Sequence, residues 1–399
     1  MSGLWPVLGD WLELLVRWVH LLAGILWIGT SFYFIGTDMS LRRRDRLPEG
    51  VGGETWQVHG GGFYNIQKYM VAPAHMPREL HWFKWEAYST WISGAFLMVL
   101  IYYAGAELYL IDPAVLSVSK PMAIGLSLVS LALGWLAYDR LCKSALGTDS
   151  RILALALFAL LSLAAFAYTQ VYSGRGAYIH VGAFIGTIMV ANVFFVIIPN
   201  QKIVVADLLA GQQPDPALGA QAKQRSLHNN YLTLPVLFVM ISNHYPMAFS
   251  ADLNWLILIV VILAGGLVRH FFNEMDAGHG QKWWLWAPVS ACLALVIALS
   301  LPRPVAGTGE AVAFNDIAPI VAEHCAVCHA EHPSYDGFAE APAGILLDTP
   351  DAIIGAAPLI HEQAVVARAM PLGNTTGMTD DERALLAAWI AAGAPGQAD

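Results

Sequence analysis

Residues 323–332 read EHCAVCHAEH, two cysteines separated by two residues with a histidine directly after the second. Cys-x-x-Cys-His is the attachment signature of c-type haem, and the spacing follows from the chemistry. Two thiols on one helical turn can add to the two vinyl groups of a single porphyrin, and the next side chain then reaches the iron. This reading gives Cys325 and Cys328 to the thioether bonds and His329 to the iron. A zinc site would need four ligands; there is no second Cys-x-x-Cys, and His324 and His332 are badly spaced for one. A thiol redox pair would need alternating strands and helices around it, which this stretch lacks. The sixth iron ligand is expected to be a methionine in a loop before the last helix, since Met/His ligation raises the potential. Met370 in RAMPLGN is favoured because the proline after it stiffens the loop. Met378 in TGMTDD is the alternative, but it abuts a helix cap.

The elements that must hold these residues are short helices. Phe314, Ile317, Ile320 and Val321 follow helical spacing just ahead of the cysteines. Thr379 and Glu382 form a capping-box pattern with Asp380 and Asp381 in the first turn, and Leu385, Leu386, Trp389 and Ile390 give that last helix an apolar face. Residues 314–399 therefore read as a small class I cytochrome c-like domain, joined by a linker of small residues, Pro and Gly over 302–313.

Upstream the composition changes. The chain is 57% hydrophobic and 13% charged, where soluble proteins carry about 25% charged residues. A bilayer crossing takes about 20 apolar residues, and eight segments qualify: roughly 11–38, 81–104, 121–139, 152–172, 178–199, 229–247, 253–273 and 283–301. The expected fold is all-α, a polytopic membrane bundle of about eight helices over 1–301 plus the terminal haem domain. Lys and Arg collect in the odd-numbered connections (Arg42–Arg46, Arg140 with Lys143, Lys223 with Arg225, Lys282), against Lys120 and Arg175 in the even-numbered ones. By the positive-inside rule the odd connections are cytoplasmic and the C-terminal domain lies outside. From Pro302 onward 13 acids face 3 arginines, so the net charge of −9 is concentrated in that domain. The start, MSGLWPVLGDWLELL, has no basic stretch before its apolar run and does not read as a cleavable leader. With no basic stripe beyond Arg42, Arg43, Arg44 and Arg46, nucleic acid is not an expected partner. Cys142 and Cys292 stand alone near apolar segments, as buried thiols do.

Polar side chains within the spans are the second set of candidates. An outer group, His20, His180 and His244, could supply two axial ligands to a b-type haem. An inner group is denser: His81, Lys84 and Glu86 open span 2, His228, Asn229, Asn230 and Tyr231 open span 6, and Arg269, His270 and Asn273 close span 7. The connection after span 1, with His59 and His75 in VHGGGFYNIQKYMVAPAHMP, reads as a long loop of functional composition. A solvated collar of helix ends would give the same pattern. The functional alternative is a pocket for a planar, anionic small molecule, rimmed by Arg, Asn and His and stacked by aromatic rings.

The segments RWVHLLAGILWIGTSFY, VHGGGFYNIQKY, LHWFKWEAYSTWISG, HNNYLTLPVLFVMISNHYP and RHFFN, followed by CAVCH, resemble the bacterial integral-membrane urate oxidases with a C-terminal cytochrome c. The resemblance spans nearly the full length. It implies oxidation of urate to 5-hydroxyisourate, with electrons leaving through haem c to a soluble cytochrome c or terminal oxidase, and not to oxygen as hydrogen peroxide. It also implies a multi-pass protein of the bacterial inner membrane, partnered by the lipid bilayer, with its haem domain in the periplasm. The resemblance assigns no catalytic residue. On the residues alone, Arg269, His270, Asn230 and Lys84 would bind urate, and His81, Glu86 or His228 would take its proton. Such an inner pocket would sit about 30 Å from the outer haem, so either a b-type haem bridges the gap or the pocket lies outward beside Asn243 and His244. The competing readings are an electron-transfer subunit without a small-molecule site, and a transporter, for which two similar halves are lacking.

Overall fold

The structure is a computed structural model and describes residues 4–71, 79–301, 312–336 and 338–396. His75 and most of the 302–313 linker fall outside the described residues. Each of the eight apolar segments is helical. With three further helices between them, the elements are α1 (Leu4–Ser40), α2 (Trp85–Leu97, prolonged by a π-type stretch Met98–Tyr103), α3 (the short turn Ala106–Tyr109), α4 (Lys120–Lys143), α5 (Ser150–Thr169), α6 (Gly174–Ala191), α7 (Ile198–Leu209), α8 (Pro216–Ser242), α9 (Pro246–Phe249), α10 (Asn254–Asp276) and α11 (Trp286–Leu299). A π-type stretch, Asn192–Ile197, fuses α6 and α7 into one long rod. Among the described residues five helices are long and apolar enough to cross a membrane, and Trp283–Leu299 is apolar but shorter. α8 is not among them: it ends at Ser242, and its apolar part is short and preceded by the polar sequence PALGAQAKQRSLHNN.

Burial ranks these helices. The most apolar window of the α6–α7 rod is 72% buried, whereas that of α1 is 6% buried. α6 is thus the axis, and α4, α5 and α8 pack around it, with α10 against α5 and α8. Tyr138, Tyr168, Tyr172, Tyr178, Phe184 and Val239 form the centre of this core. Close approach needs small residues: a Cβ on Gly134 would fall 1.9 Å from the Phe184 ring, so α4 and α6 meet there only because that position is glycine. α1 and α2 pack on each other as a flank.

The connection after α1 differs from the expected irregular loop. It is an antiparallel hairpin of β1 (Val51–His59) and β2 (Gly62–Tyr69), turned at Gly60 and Gly61. Both glycines have positive φ, +59° and +79°, as a tight two-residue hairpin turn requires. An isolated hairpin is marginal in water. This one is tied to α1: Tyr33 donates to Gln57 at 3.0 Å, Gln57 donates to Thr37 at 3.0 Å, and Lys68 pairs with Asp38. His59 is exposed at the hairpin's tip.

The C-terminal unit is built from α12 (Phe314–Val321), α13 (Pro350–Gly355), α14 (Ala357–Ile360) and α15 (Asp380–Ala391). Its first and last helices pack together, with Phe314 edge-on to the fully buried Trp389 at 6.1 Å. The capping box forms as the sequence suggests. Thr379 Oγ1 accepts from the Glu382 N–H at 3.3 Å, and the Glu382 carboxylate accepts the Thr379 N–H at 2.7 Å. That backbone hydrogen bond is the leading reason the Glu382 carboxyl lies below its ordinary pKa, with Thr379 and His324 adding to it.

Loss of the cap is therefore expected to fray α15. Thr379→Ala should speed amide hydrogen exchange in the first turn of α15 about fivefold, the equivalent of ~1 kcal/mol. Since the folded carboxyl titrates below its unfolded value, its contribution is present above the unfolded pKa. It is lost as pH falls through the lowered folded value, so protection of this turn should drop on acidification in the wild type and not in Glu382→Gln.

Candidate functional site

The C-terminal unit encloses a cavity of about 350 Å³ onto which Cys325, Cys328, His329 and Met370 all open. The two cysteines sit where α12 unwinds through a wide turn, and the His329 N–H caps that turn on Cys325 O at 2.8 Å. His329 Nδ1–H donates to Ile345 O at 3.1 Å. A carbonyl can only accept, so this bond fixes the tautomer and leaves Nε2 with the ring's lone pair, as a metal-binding imidazole requires. The remaining walls are largely apolar and include Phe338, Leu347, Leu359 and Ile360.

Burial pushes the Cys325 thiol up to about 11 and raises Cys328 as well. Thiols of that kind are poor nucleophiles, unlike the low-pKa cysteine of a redox pair. Among the described residues no group of three His, Cys, Asp or Glu side chains is arranged to hold a metal ion. Two protonated thiols, a tautomer-fixed imidazole and a thioether around one apolar cavity fit a covalently bound haem c. Of the two methionines, Met370 lines the cavity, while Met378 is 4% exposed and packs in the unit's core. A buried arginine holds the Met370 loop: Arg383 donates to Met370 O at 2.8 Å and to Ala364 O.

The helical bundle completes this cavity. Leu108 and Tyr109 of α3 form part of its wall. Gly373, in the loop after Met370, lies so close to α3 that a Cβ would fall 2.6 Å from Leu108 O, and its φ of +62° also favours glycine. Arg368 adds an ion pair across the seam, 4.0 Å from Asp252 in the connection between α8 and α10. The end of the bundle nearest the cavity is called proximal below, and the end bearing the hairpin distal.

At the distal end the inner polar residues separate into distinct clusters, not one pocket. Successive helical residues are about 100° apart, so HNNY in α8 faces two ways. His228 and Asn229 turn to α4 and α6: His228 Nδ1 bonds Tyr138 OH at 2.8 Å, and Asn192 donates to Tyr138 and to Asn229, each at 2.9 Å. Arg225, 2% exposed, closes this cluster on Asp139 at 2.7 Å. Cys142 lies beside it, its sulfur 3.9 Å from His228, while Cys292 is only half-buried in α11. Asn230 turns to α10, where its Oδ1 accepts from both Arg269 Nε and Asn273 Nδ2 at 2.9 Å. The Arg269 guanidinium sits 4.3 Å over the Phe32 ring of α1. Tyr231 bonds His270 at 2.8 Å. His81 and Lys84 stay apart from both clusters: His81 is exposed with its ring against Phe83, and Lys84 lies over the Trp85 ring.

Three buried atoms in this half have no hydrogen-bond partner among the described residues: Asn230 Nδ2, Asn273 Oδ1 and Glu86 Oε2. An unpaired donor and an unpaired acceptor on two hydrogen-bonded amides offer a complement to a ligand edge that carries C=O beside N–H. The sequence reading missed Tyr138, Asp139 and Asn192. Asn192 had a usable signal, an amide inside the apolar run MVANVFF.

Two of the outer histidines, His20 and His180, have hydrogen-bond partners on different helices. His180 has both ring nitrogens engaged, with Gly176 O at 2.8 Å and Ser127 Oγ at 2.7 Å. His20 lies against α2, bonded to Thr90 O at 2.9 Å and Ser93 at 3.1 Å, and His244 is exposed at the end of α8. Of the three, His180 is the one not placed to hold a b-type haem, since both of its ring nitrogens are engaged by neighbours, whereas His20 is bonded through Nδ1 alone.

The contrasting positions of the two methionines give an expected outcome. If the cavity holds haem c with Met370 on its iron, Met370→Ala should abolish the Met–Fe charge-transfer band of the oxidised protein with little loss of stability. Met378→Ala should keep that band and cost about 3 kcal/mol in denaturant unfolding of the terminal unit, as core truncations do. The reverse pattern would reassign the ligand.

Residues 6–300 match the family model described as urate oxidase N-terminal, so the chain belongs to that family. The match covers the whole bundle and ends before the C-terminal unit. No curated protein and no solved structure matches the chain.

Proposed function

From that membership we propose that the chain is a membrane-bound oxidoreductase that converts urate to 5-hydroxyisourate and passes the electrons outward through haem c. The observation that carries this reading is the shared cavity. The residues suited to hold a haem line a cavity whose wall is completed by the urate oxidase family bundle, at Leu108 and Tyr109. That contact supports a reading in which the family bundle and the electron exit work as one unit.

The balance is simple. Urate and one water give 5-hydroxyisourate, two protons and two electrons. The chain's own residues have three tasks: to hold a planar anion, to accept protons, and to hold the group that takes the electrons. Asn230, Asn273 and Arg269 suit the first task, since the two unpaired amide atoms complement the alternating C=O and N–H edge of a purine and the arginine its charge. Glu86, with one buried carboxylate oxygen unpaired, suits the second. His228 is a weaker base, because its Nδ1 is already bound to Tyr138. His81 and Lys84, exposed or stacked on the outside, are left to rim roles, and His270 to orienting Tyr231. Cys325, Cys328, His329 and Met370 suit the third. When bound, haem c supplies one-electron acceptance at a potential raised by methionine ligation.

The membrane reading rests on the five long apolar helices and on the charge pattern. Lys143, Arg225, Lys282 and the arginines at 42–46 lie toward the distal end, and the acidic unit caps the proximal one. By the positive-inside rule this pattern supports a haem domain on the periplasmic side of a bacterial inner membrane. Its net negative charge suits a basic acceptor such as a soluble cytochrome c, with a docking rate that falls as salt is added.

The test uses the purified full-length protein with oxidised haem under strict exclusion of oxygen. Added urate should bring up the reduced α band, with one urate consumed for every two chains reduced and no hydrogen peroxide formed on reoxidation by cytochrome c. No reduction by urate, with full reduction by a quinol, would leave an electron-transfer subunit as the function. Asn273→Leu keeps the Arg269–Asn230 bond while removing the unpaired acceptor. It should raise the urate concentration needed for half-maximal reduction about tenfold.

A further inference from the structure

The proximal end carries a polar cluster that none of the roles above uses. Arg175, in the first turn of α6, donates from Nε to Asn243 Oδ1 at 3.3 Å, and Tyr102 OH donates to the same oxygen at 3.1 Å. The guanidinium lies 4.9 Å over the ring of Tyr109, the residue that also walls the haem cavity. Arg175 is half-buried and has no carboxylate partner among the described residues. The bundle's other buried arginines are neutralised or nearly so. Arg225 meets Asp139 at 2.7 Å, and Arg269 has Asp276 at 4.0 Å. An arginine whose remaining N–H groups lack an acid, held by an amide and an aromatic face beside a redox cavity, is built as an anion receptor.

We propose that Arg175, with Asn243, Tyr102 and Tyr109, forms an oxyanion site at the seam between the bundle and the haem cavity. Its ligand is an anion at the edge of the redox centre. Two sources share that chemistry: a propionate carboxylate of the haem, and the urate anion itself in position to lose its electrons. The proposal rests on the haem c reading above. It also meets a physical need of that reading, because the distal layer lies about a bilayer's thickness from the cavity, while Arg175 is one aromatic ring away from it. Arg175 is a positioning residue in the first case and a substrate-binding residue in the second.

The test uses full-length holoprotein carrying Arg175→Gln, which keeps hydrogen-bonding capacity and removes the charge. Arg175→Lys serves as the charge-retaining control. Asn243→Leu serves as a second route to the same site should the first variant load haem poorly. Two quantities are read: the haem midpoint potential without urate, and urate affinity by equilibrium dialysis with the haem held reduced. A cation near the iron favours the ferrous state, so its loss should shift the ferric/ferrous equilibrium about tenfold toward ferric if a propionate is the ligand. Urate affinity would then be unchanged. If urate is the ligand, affinity should fall about tenfold or more, and it is the affinity that decides between the two sources. Either result supports the site and names its source. Unchanged values for both, in both variants, would overturn it, leaving Arg175 as an ordinary interfacial cation. The outcome is separable from the urate oxidase reading, since reduction of the wild-type haem by urate is scored independently.

Discussion

Inside an apolar bundle, every polar group that leaves water needs a partner, and this constraint organises the molecule. It explains why Asn192, Tyr138, Asn229, His228 and Arg225 form one connected network between α4, α6 and α8 rather than five separate exceptions. It explains why His180, fully buried on the central helix, spends both nitrogens on neighbours. The few atoms that escape the rule, Asn230 Nδ2, Asn273 Oδ1 and Glu86 Oε2, gain meaning because the rest of the bundle obeys it so widely. Ser162 Oγ is a further exception, but it stands alone on α5.

The same constraint links recognition to architecture. α6 can be the axis because its small residues and its neighbours' glycines allow close packing, and its polar positions fall where other helices supply partners. α1 and α2 lie on the flank and enclose the layer only partly. Phe32 under Arg269 and the stretch of α2 carrying Glu86 are their contributions to the distal half. Three of the sites that matter here, Tyr102, Asn192 and Cys325, fall in wide π-type turns. Such turns displace side chains from the regular helical faces and recur at functional positions.

Much of this was legible in the sequence. Apolar run length located the eight long helical segments, and the Thr379–Glu382 pair marked the start of the last helix. The hairpin is written there too, as two strand-like runs around His59-Gly60-Gly61-Gly62, but its glycine-rich turn gives the connection the composition of a loop. Grouping His228 with Asn230 failed for a geometric reason: neighbours in sequence on a helix point to different partners. Met370 and Met378 are told apart by a difference of depth that only tertiary packing supplies. Tyr109, Arg175 and Arg383 carried no local signal, since each acquires its role from a contact made far along the chain.

The seam at Leu108, Tyr109 and Gly373 bears on kinetics. Two proteins that exchange electrons must first find each other, and their rate scales with concentration. On the proposed function the exchange partners are one polypeptide, held in register by a contact too tight for a single Cβ. The first transfer is therefore unimolecular: it is indifferent to dilution, and an unbound competitor would have to exceed a very high effective concentration to interrupt it. Diffusion enters only afterward, when the reduced unit meets its external acceptor, so crowding and ionic strength should act on the second half of turnover and spare the first.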